Sequence, residues 1–489
     1  MTECIKIEYL SPEERSLAVF AQGVLNRKGY KILIDCDVYR SYVKDETANI
    51  GLWELLKKYA RVFTGAVAYD LDCEDVSVNM AATVCAVEDF LGVPRALLNK
   101  VNALGIETVL DMSAVKGSRA ERQRKIFVDY RDRLKKDGVV HQVVKKGNFH
   151  LTLRDYSIRN GWLCFYTSEN EEDRSFRREV LQWLDCNSPV YGWNDDEIAF
   201  IKDISRYGNY AVPTDWSSNH SYFGKGDRSV FQSPKRLPVP KDKHYLCFVV
   251  SDGDNVQWLE RDFATTGTFG QRQASAYDYK LNWTISPSLV AVCPEALENI
   301  YSTKKHDYFI SGVSGIGYAN CLSYPREHLD AFTQKTSEYM KRSGLKEICL
   351  LDNVENTRDE SFVNDRLSSY TRFSNVNGGI WELDPDRYGS GKGKIFVCDG
   401  KPFVSVRFTM WHPSGDMSKV DKKWLDGIVE DINSTIVDPH SEKGYSVVNV
   451  HPWTISMQSL DYVVSRLDAH VELVYVDELL GLIQKNMLK

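Results

Sequence analysis

Residues 244–255 read HYLCFVVSDGDN, an almost wholly apolar run that breaks abruptly into Ser251, Asp252, Gly253, Asp254 and Asn255. A run this short and this apolar is the mark of a parallel strand covered on both faces. The break then places two carboxylates where strand gives way to loop, the position at which α/β barrels carry their chemistry. Gly253 permits a sharp turn, so Asp252 and Asp254 are both expected to face one cleft. Ordinary turn composition would produce the same residues. Both readings stay open at this point.

Downstream, strand-like runs recur at 244–251, 283–292, 308–312, 346–352, 378–382, 403–409, 446–451 and 471–476, with helical stretches at 326–343 and 421–434. Strands alternating with helices over ~245 residues match the size of a (β/α) barrel. Upstream, residues 231–243 (FQSPKRLPVPKDK) hold three prolines and four basic residues without periodicity, and read as a linker. Before it the chain alternates again. Ser11, Pro12 and Glu14 form a capping box ahead of the apolar positions Leu17, Phe20, Ala21 and Leu25. Strands are expected at 31–35, 61–69, 107–111 and 162–167, and helices at 80–90, 117–137 and 176–184. Residues 189–194 and 207–213 carry turn chemistry. The expected fold is α/β: small N-terminal α/β domains over 1–115 and 116–235, then a TIM-like (β/α) barrel over 243–489.

Composition narrows the function. At 489 residues the chain is too long for one compact core. Apolar residues at 43% and charged residues at 26% exclude disorder. A net charge of −7 and a pI near 5.9 argue against nucleic acid and against anionic membranes. The 11 Trp and 26 Tyr suit sugar recognition, although such rings also fill cores. No apolar run approaches the ~20 residues needed to span a bilayer. Residues 1–14 lack the apolar core of a secretory signal, and the 11 cysteines are odd in number with no C-x-x-C pair. A cytoplasmic protein without structural disulfides is expected.

Other strand ends offer further candidates. Asp352 and Glu355 follow the run 346–351, and Glu382 ends 378–382. Paired carboxylates are what glycosyl transfer needs, one as acid and one as base or nucleophile. A helix cap with an acid in the first turn is an equally good reading of the Asp352 to Glu355 stretch. His451 and Trp453 leave the run 446–450, and Trp411-His412-Pro413 repeats that composition. A lone His is more often structural than catalytic. The motifs H-E-x-x-H, G-x-x-x-x-G-K-[ST] and G-x-S-x-G are absent.

Taken in order, these blocks resemble the bacterial GxGYxYP putative glycoside hydrolases over nearly the whole chain. Gln22-Gly23 with Asn26-Arg27, Asn79 to Thr83, Arg154-Asp155-Tyr156, Gly192-Trp193, and Pro213 and Asp215 with Asn219 resemble its N-terminal elements. Residues 251–258 (SDGDNVQW) carry the most specific resemblance, and Gly315-Ile316-Gly317-Tyr318 resembles G-x-G-Y, with Tyr324-Pro325 after a longer insert. The resemblance implies α/β domains before a TIM-like barrel and a carbohydrate substrate. Catalysis would then fall to Asp252 or Asp254 with Glu355 or Glu382, and to His451. Asn255, Gln257, Trp258, Asp215, Trp216, Asn219, Tyr318 and Trp453 would bind sugar. No cofactor is expected. A metal-dependent deacetylase, with Asp252, Asp254 and His451 around a divalent ion, is the alternative, and a non-catalytic carbohydrate-binding protein the third reading.

Overall fold

The computed structural model describes residues 1–71, 75–144, 147–224, 228–235, 237–239 and 241–488. Its contacts divide the chain into two units: residues 1–226 with 291–295, and residues 227–290 with 296–489.

The N-terminal unit holds three parallel sheets. Thr2–Lys6 lies between Ile32–Asp35 and Thr47–Ile50, and Gly65–Tyr69 lies between Phe90–Pro94 and Thr108–Asp111. The third sheet runs Tyr210–Val212, Pro189–Gly192, Val139–His141, Cys164–Phe165. The expected capping box forms: Ser11 and Glu14 satisfy each other's backbone at the start of helix Pro12–Arg27. Two segments expected to be turns, 189–194 and 207–213, contain the strands Pro189–Gly192 and Tyr210–Val212. Pro189 is the first residue of its strand, the one position where a missing N–H costs a parallel ladder little.

The motif residues of this unit form buried polar knots. Gln22 Nε2 donates to Asn219 Oδ1 at 2.6 Å, and Asn26 Nδ2 donates to Ser221 Oγ at 2.9 Å. Arg154 Nε donates to Asn79 Oδ1 at 2.9 Å. These groups join helices and sheets distant in sequence. A buried amide left without such partners would cost roughly 1–3 kcal/mol.

In the C-terminal unit one sheet runs Ile395–Cys398, Lys401–Ser405, Gly379–Asp384, Ile348–Asn353, Tyr308–Ser311, Asn282–Ile285, His244–Val250, Tyr445–Val450, Phe408–Met410. All neighbours are parallel except the first pair. All seven residues of His244–Val250 are buried, as a strand covered on both faces requires. The sheet curls into a half-barrel. Its order differs from that of a regular eight-stranded barrel, in which the last strand separates the seventh from the first. Here Tyr445–Val450 pairs directly with His244–Val250 from Tyr245↔Tyr445 to Val250↔Val450. The last strand, Val471–Leu473, takes His244, Tyr245 and Leu246 on the opposite edge, leaving Val249 and Val250 to Asn282–Ile285.

Two further expectations are corrected. The run 283–292 is not one strand: Asn282–Ile285 stops before Ser286-Pro287, and Leu289–Val292 is helical. Continuous apolar character does not separate a buried strand from a buried helical turn, and Pro287 breaks the ladder. Nor is 231–243 a free linker. Gln232 Nε2 donates to Phe309 O at 2.8 Å and Phe309 N donates to Gln232 Oε1 at 2.9 Å, so this stretch straps onto the C-terminal unit. Arg236 and Pro240 within it lie outside the described residues. Among the described residues no helix is long and apolar enough to cross a membrane. Cys4, Cys85, Cys164, Cys247, Cys321, Cys349 and Cys398 are free thiols, and Cys73 lies outside the described residues.

Candidate active site

Because the strands are parallel, their carboxyl ends share one rim. Backbone sterics shape the Asp252 to Asn255 turn there. Asp252, not Gly253, adopts the left-handed conformation, with φ of 64°. Gly253 is needed for a different reason. A Cβ on it would sit 1.7 Å from Thr284 O, and its N–H donates to Thr284 Oγ1 at 2.9 Å. The turn is thus pressed onto the neighbouring strand. Gly312 closes the far side, where a Cβ would lie 3.2 Å from Asp254 N.

Three carboxylates converge on this rim. Asp254 is buried, and Asp252 keeps 16% of its side chain exposed. Glu382, inside Gly379–Asp384, is 1% exposed, and its Oε1 accepts from Asn449 Nδ2 at 2.8 Å. Burial holds the Glu382 carboxyl well above the usual carboxylate range, and the negative charges of Asp252 and Asp254 add to the effect. Cys349, next to Glu382, is likewise pushed up by burial.

His451 follows the strand Tyr445–Val450. Its Nε2 lies 3.5 Å from Asp252 Oδ2, and its Nδ1 lies 3.1 Å from Thr454 Oγ1. Trp411 stacks on the imidazole, 3.9 Å between centroids and 6° between planes. Burial lowers the His451 pKa to about 4, so the ring is neutral near pH 7. Tyr388 meets Trp411 edge-on at 5.3 Å. On the Asp254 side, Trp258 is 7% exposed, wedged against Phe263 and 4.8 Å from Trp453. Trp453 is 47% exposed and is the free aromatic face of the pair. Asn255 braces the turn, with its Nδ2 donating to Asp252 O at 3.3 Å, and Gln257 is half-buried one residue before Trp258.

The other sequence candidates fall elsewhere. Glu355 is exposed on the turn Val354–Thr357 and pairs with Arg358 at 2.6 Å. Asp352 clamps the glycine-rich loop, accepting from Leu322 N at 3.0 Å and Asn356 Nδ2 at 2.7 Å. The cap of the short turn that follows is Asn353, whose Oδ1 accepts from Glu355 N at 2.9 Å. Tyr318 is buried within that loop. Asp215, Trp216 and Asn219 belong to the N-terminal unit. Asn219 is fully buried, and its amide is spent on Gln22 and on the backbone of Ile34. It holds structure and has no face left for a sugar. Among the described residues no group of three or more His, Cys, Asp and Glu side chains is arranged to hold a metal ion.

Sequence reading missed Asn449 and Thr454 and gave Trp411 no role. A single Asn inside the apolar run SVVNV was the available signal for the first. Nothing local marks Thr454.

Residues 242–484 match the GxGYxYP putative glycoside hydrolase C-terminal domain, and residues 141–225 match the GxGYxYP third domain. The fold is similar to a crystal structure described as a putative hydrolase from Bacteroides thetaiotaomicron VPI-5482. The TM-score is 0.85 at 26% identity, covering 99% of this chain and 94% of that one. The comparison with curated proteins returned no match. With both domain matches falling on the units that carry the SDGDNVQW rim and the buried motif knots, the chain belongs to the GxGYxYP family.

Proposed function

We propose that the protein is a glycoside hydrolase acting on an oligosaccharide or polysaccharide at the carboxyl rim of the curled sheet, which serves as its TIM-like barrel mouth. The observation that carries this reading is the convergence of Asp252, Asp254 and Glu382, with His451 at Asp252. Hydrolysis of a glycosidic bond needs one carboxyl that gives a proton and one that stays charged, and in this cluster burial raises the pKa of Glu382. Asp252 and Asp254 are the pair nearer the surface, and burial raises the pKa of Glu382 beneath them. Trp453, backed by Trp258, supplies an apolar face of the kind that sugar rings stack on. The family and the Bacteroides structure, both described as putative hydrolases, support the reaction class.

The test is a panel of chromogenic glycosides and reduced oligosaccharides assayed with the wild type, Asp252→Asn and Asp254→Asn. Cleavage of one member that both variants lose supports the reading. A full panel without turnover, or variants as active as the wild type, overturns it.

A further inference from the structure

We propose that Thr454 is a positioning residue: its hydroxyl fixes His451 in the tautomer that carries the ring proton on Nε2, aimed at Asp252. The argument is a count of protons. Thr454 Oγ1 already accepts from His412 N at 3.3 Å. A hydroxyl owns one proton, and Thr454 is 1% exposed, so water does not take it. Among the described residues the acceptor within reach is His451 Nδ1 at 3.1 Å. The hydroxyl therefore donates to Nδ1, and in a neutral imidazole the proton then sits on Nε2. The opposite tautomer would strand a buried hydroxyl proton.

The backbone builds this relation in. Thr454 N and Ile455 N both donate to His451 O at 3.1 Å, a turn that folds Thr454 back under the ring. His451 N is itself anchored to Met410 O at 3.1 Å. Stacking against Trp411 at 3.9 Å fixes the plane of the ring. Nε2–H then lies on the Asp252 side of the ring, with Nε2 3.5 Å from Asp252 Oδ2. Its task of keeping Asp252 charged and oriented rests on the glycosidic reading above, but the tautomer does not.

The experiment is nitrogen-15 NMR of the full chain labelled at histidine, with His451→Gln assigning the signal. The wild type at neutral pH is expected to show a protonated Nε2 and an unprotonated Nδ1. Thr454→Ser keeps that pattern. Thr454→Val shifts the tautomer ratio roughly tenfold toward Nδ1–H, about the weight of one hydrogen bond. A wild-type spectrum with Nδ1–H, or a Val variant with an unchanged ratio, overturns the proposal. Should the Val variant not fold, the wild-type and Ser spectra still decide it. A correct tautomer in a protein that cleaves no glycoside would sink only the functional reading.

Discussion

Asn449 Nδ2 donates to Glu382 Oε1 at 2.8 Å, wholly buried, across 67 residues of sequence. The pair joins two strands whose carboxyl ends carry the rim. It satisfies an oxygen of a carboxyl at 1% exposure, because an amide donor serves whether or not the group is charged.

The raised pKa of Glu382 predicts that its carboxyl is buried neutral. Glu382→Gln preserves shape, neutrality and the Asn449 bond, so its urea unfolding free energy at pH 7 is expected within about 1 kcal/mol of the wild type. Asn449→Leu leaves Oε1 unsatisfied and is expected to cost roughly 1–3 kcal/mol. A Gln variant markedly more stable than the wild type would mean that Glu382 is buried charged.

Asp252→Asn and Asp254→Asn are expected to lower turnover by ~10²-fold or more with melting temperatures nearly unchanged, since loss of a general acid or base costs about that much. Asn is the right replacement at 252 because it tolerates the positive φ of 64°. Asp252→Ala would mix the chemical loss with backbone strain. A melting temperature that falls in step with activity would assign the residues to the turn instead.

Gly253→Ala is expected to prevent native packing, since the new Cβ would lie 1.7 Å from Thr284 O. The loss should exceed about 3 kcal/mol, visible in thermal unfolding, because the new Cβ overpacks against a backbone carbonyl. Normal stability would show that the turn relaxes freely.

Glu347 predicts a pH dependence of stability. Burial, against hydrogen bonds from Asn377 and Tyr308, raises its pKa from 4.5 to about 7, with Asp477 adding to the rise and Lys346 opposing it. Between those values the native state keeps a proton that the unfolded chain releases. Stability therefore falls as pH rises through that window, by about 3 kcal/mol in all. Glu347→Gln should flatten the slope in denaturant titrations at pH 5 and pH 8. An unchanged slope would place its origin elsewhere.

Asn219→Ala and Glu355→Gln separate structural from surface roles. The first strips partners from Gln22 and from the backbone of Ile34 and should cost at least about 2 kcal/mol. The second touches one exposed ion pair and should fall within ±0.5 kcal/mol, with activity unaltered. Loss of activity in Glu355→Gln would restore it as a catalytic candidate.

Local sequence carried what local physics controls. The apolar run 244–250 announced a buried parallel strand, the Ser11 box announced a helix start, and the acids after Val250 announced a rim. Each depends on residues within one turn or one strand, so spacing alone reveals them. The strand order, the strapping of 231–243 and the partners of Glu382 depend on contacts between residues tens to hundreds of positions apart. Asn219 and Asp252 both carry polar side chains within motifs of the same family pattern. Yet one is sealed among Gln22 and Ile34 while the other opens beside His451. Composition cannot make that distinction, because burial and hydrogen-bond partners are properties of the packed chain, and it is those that decide whether a polar group holds the fold or meets a substrate.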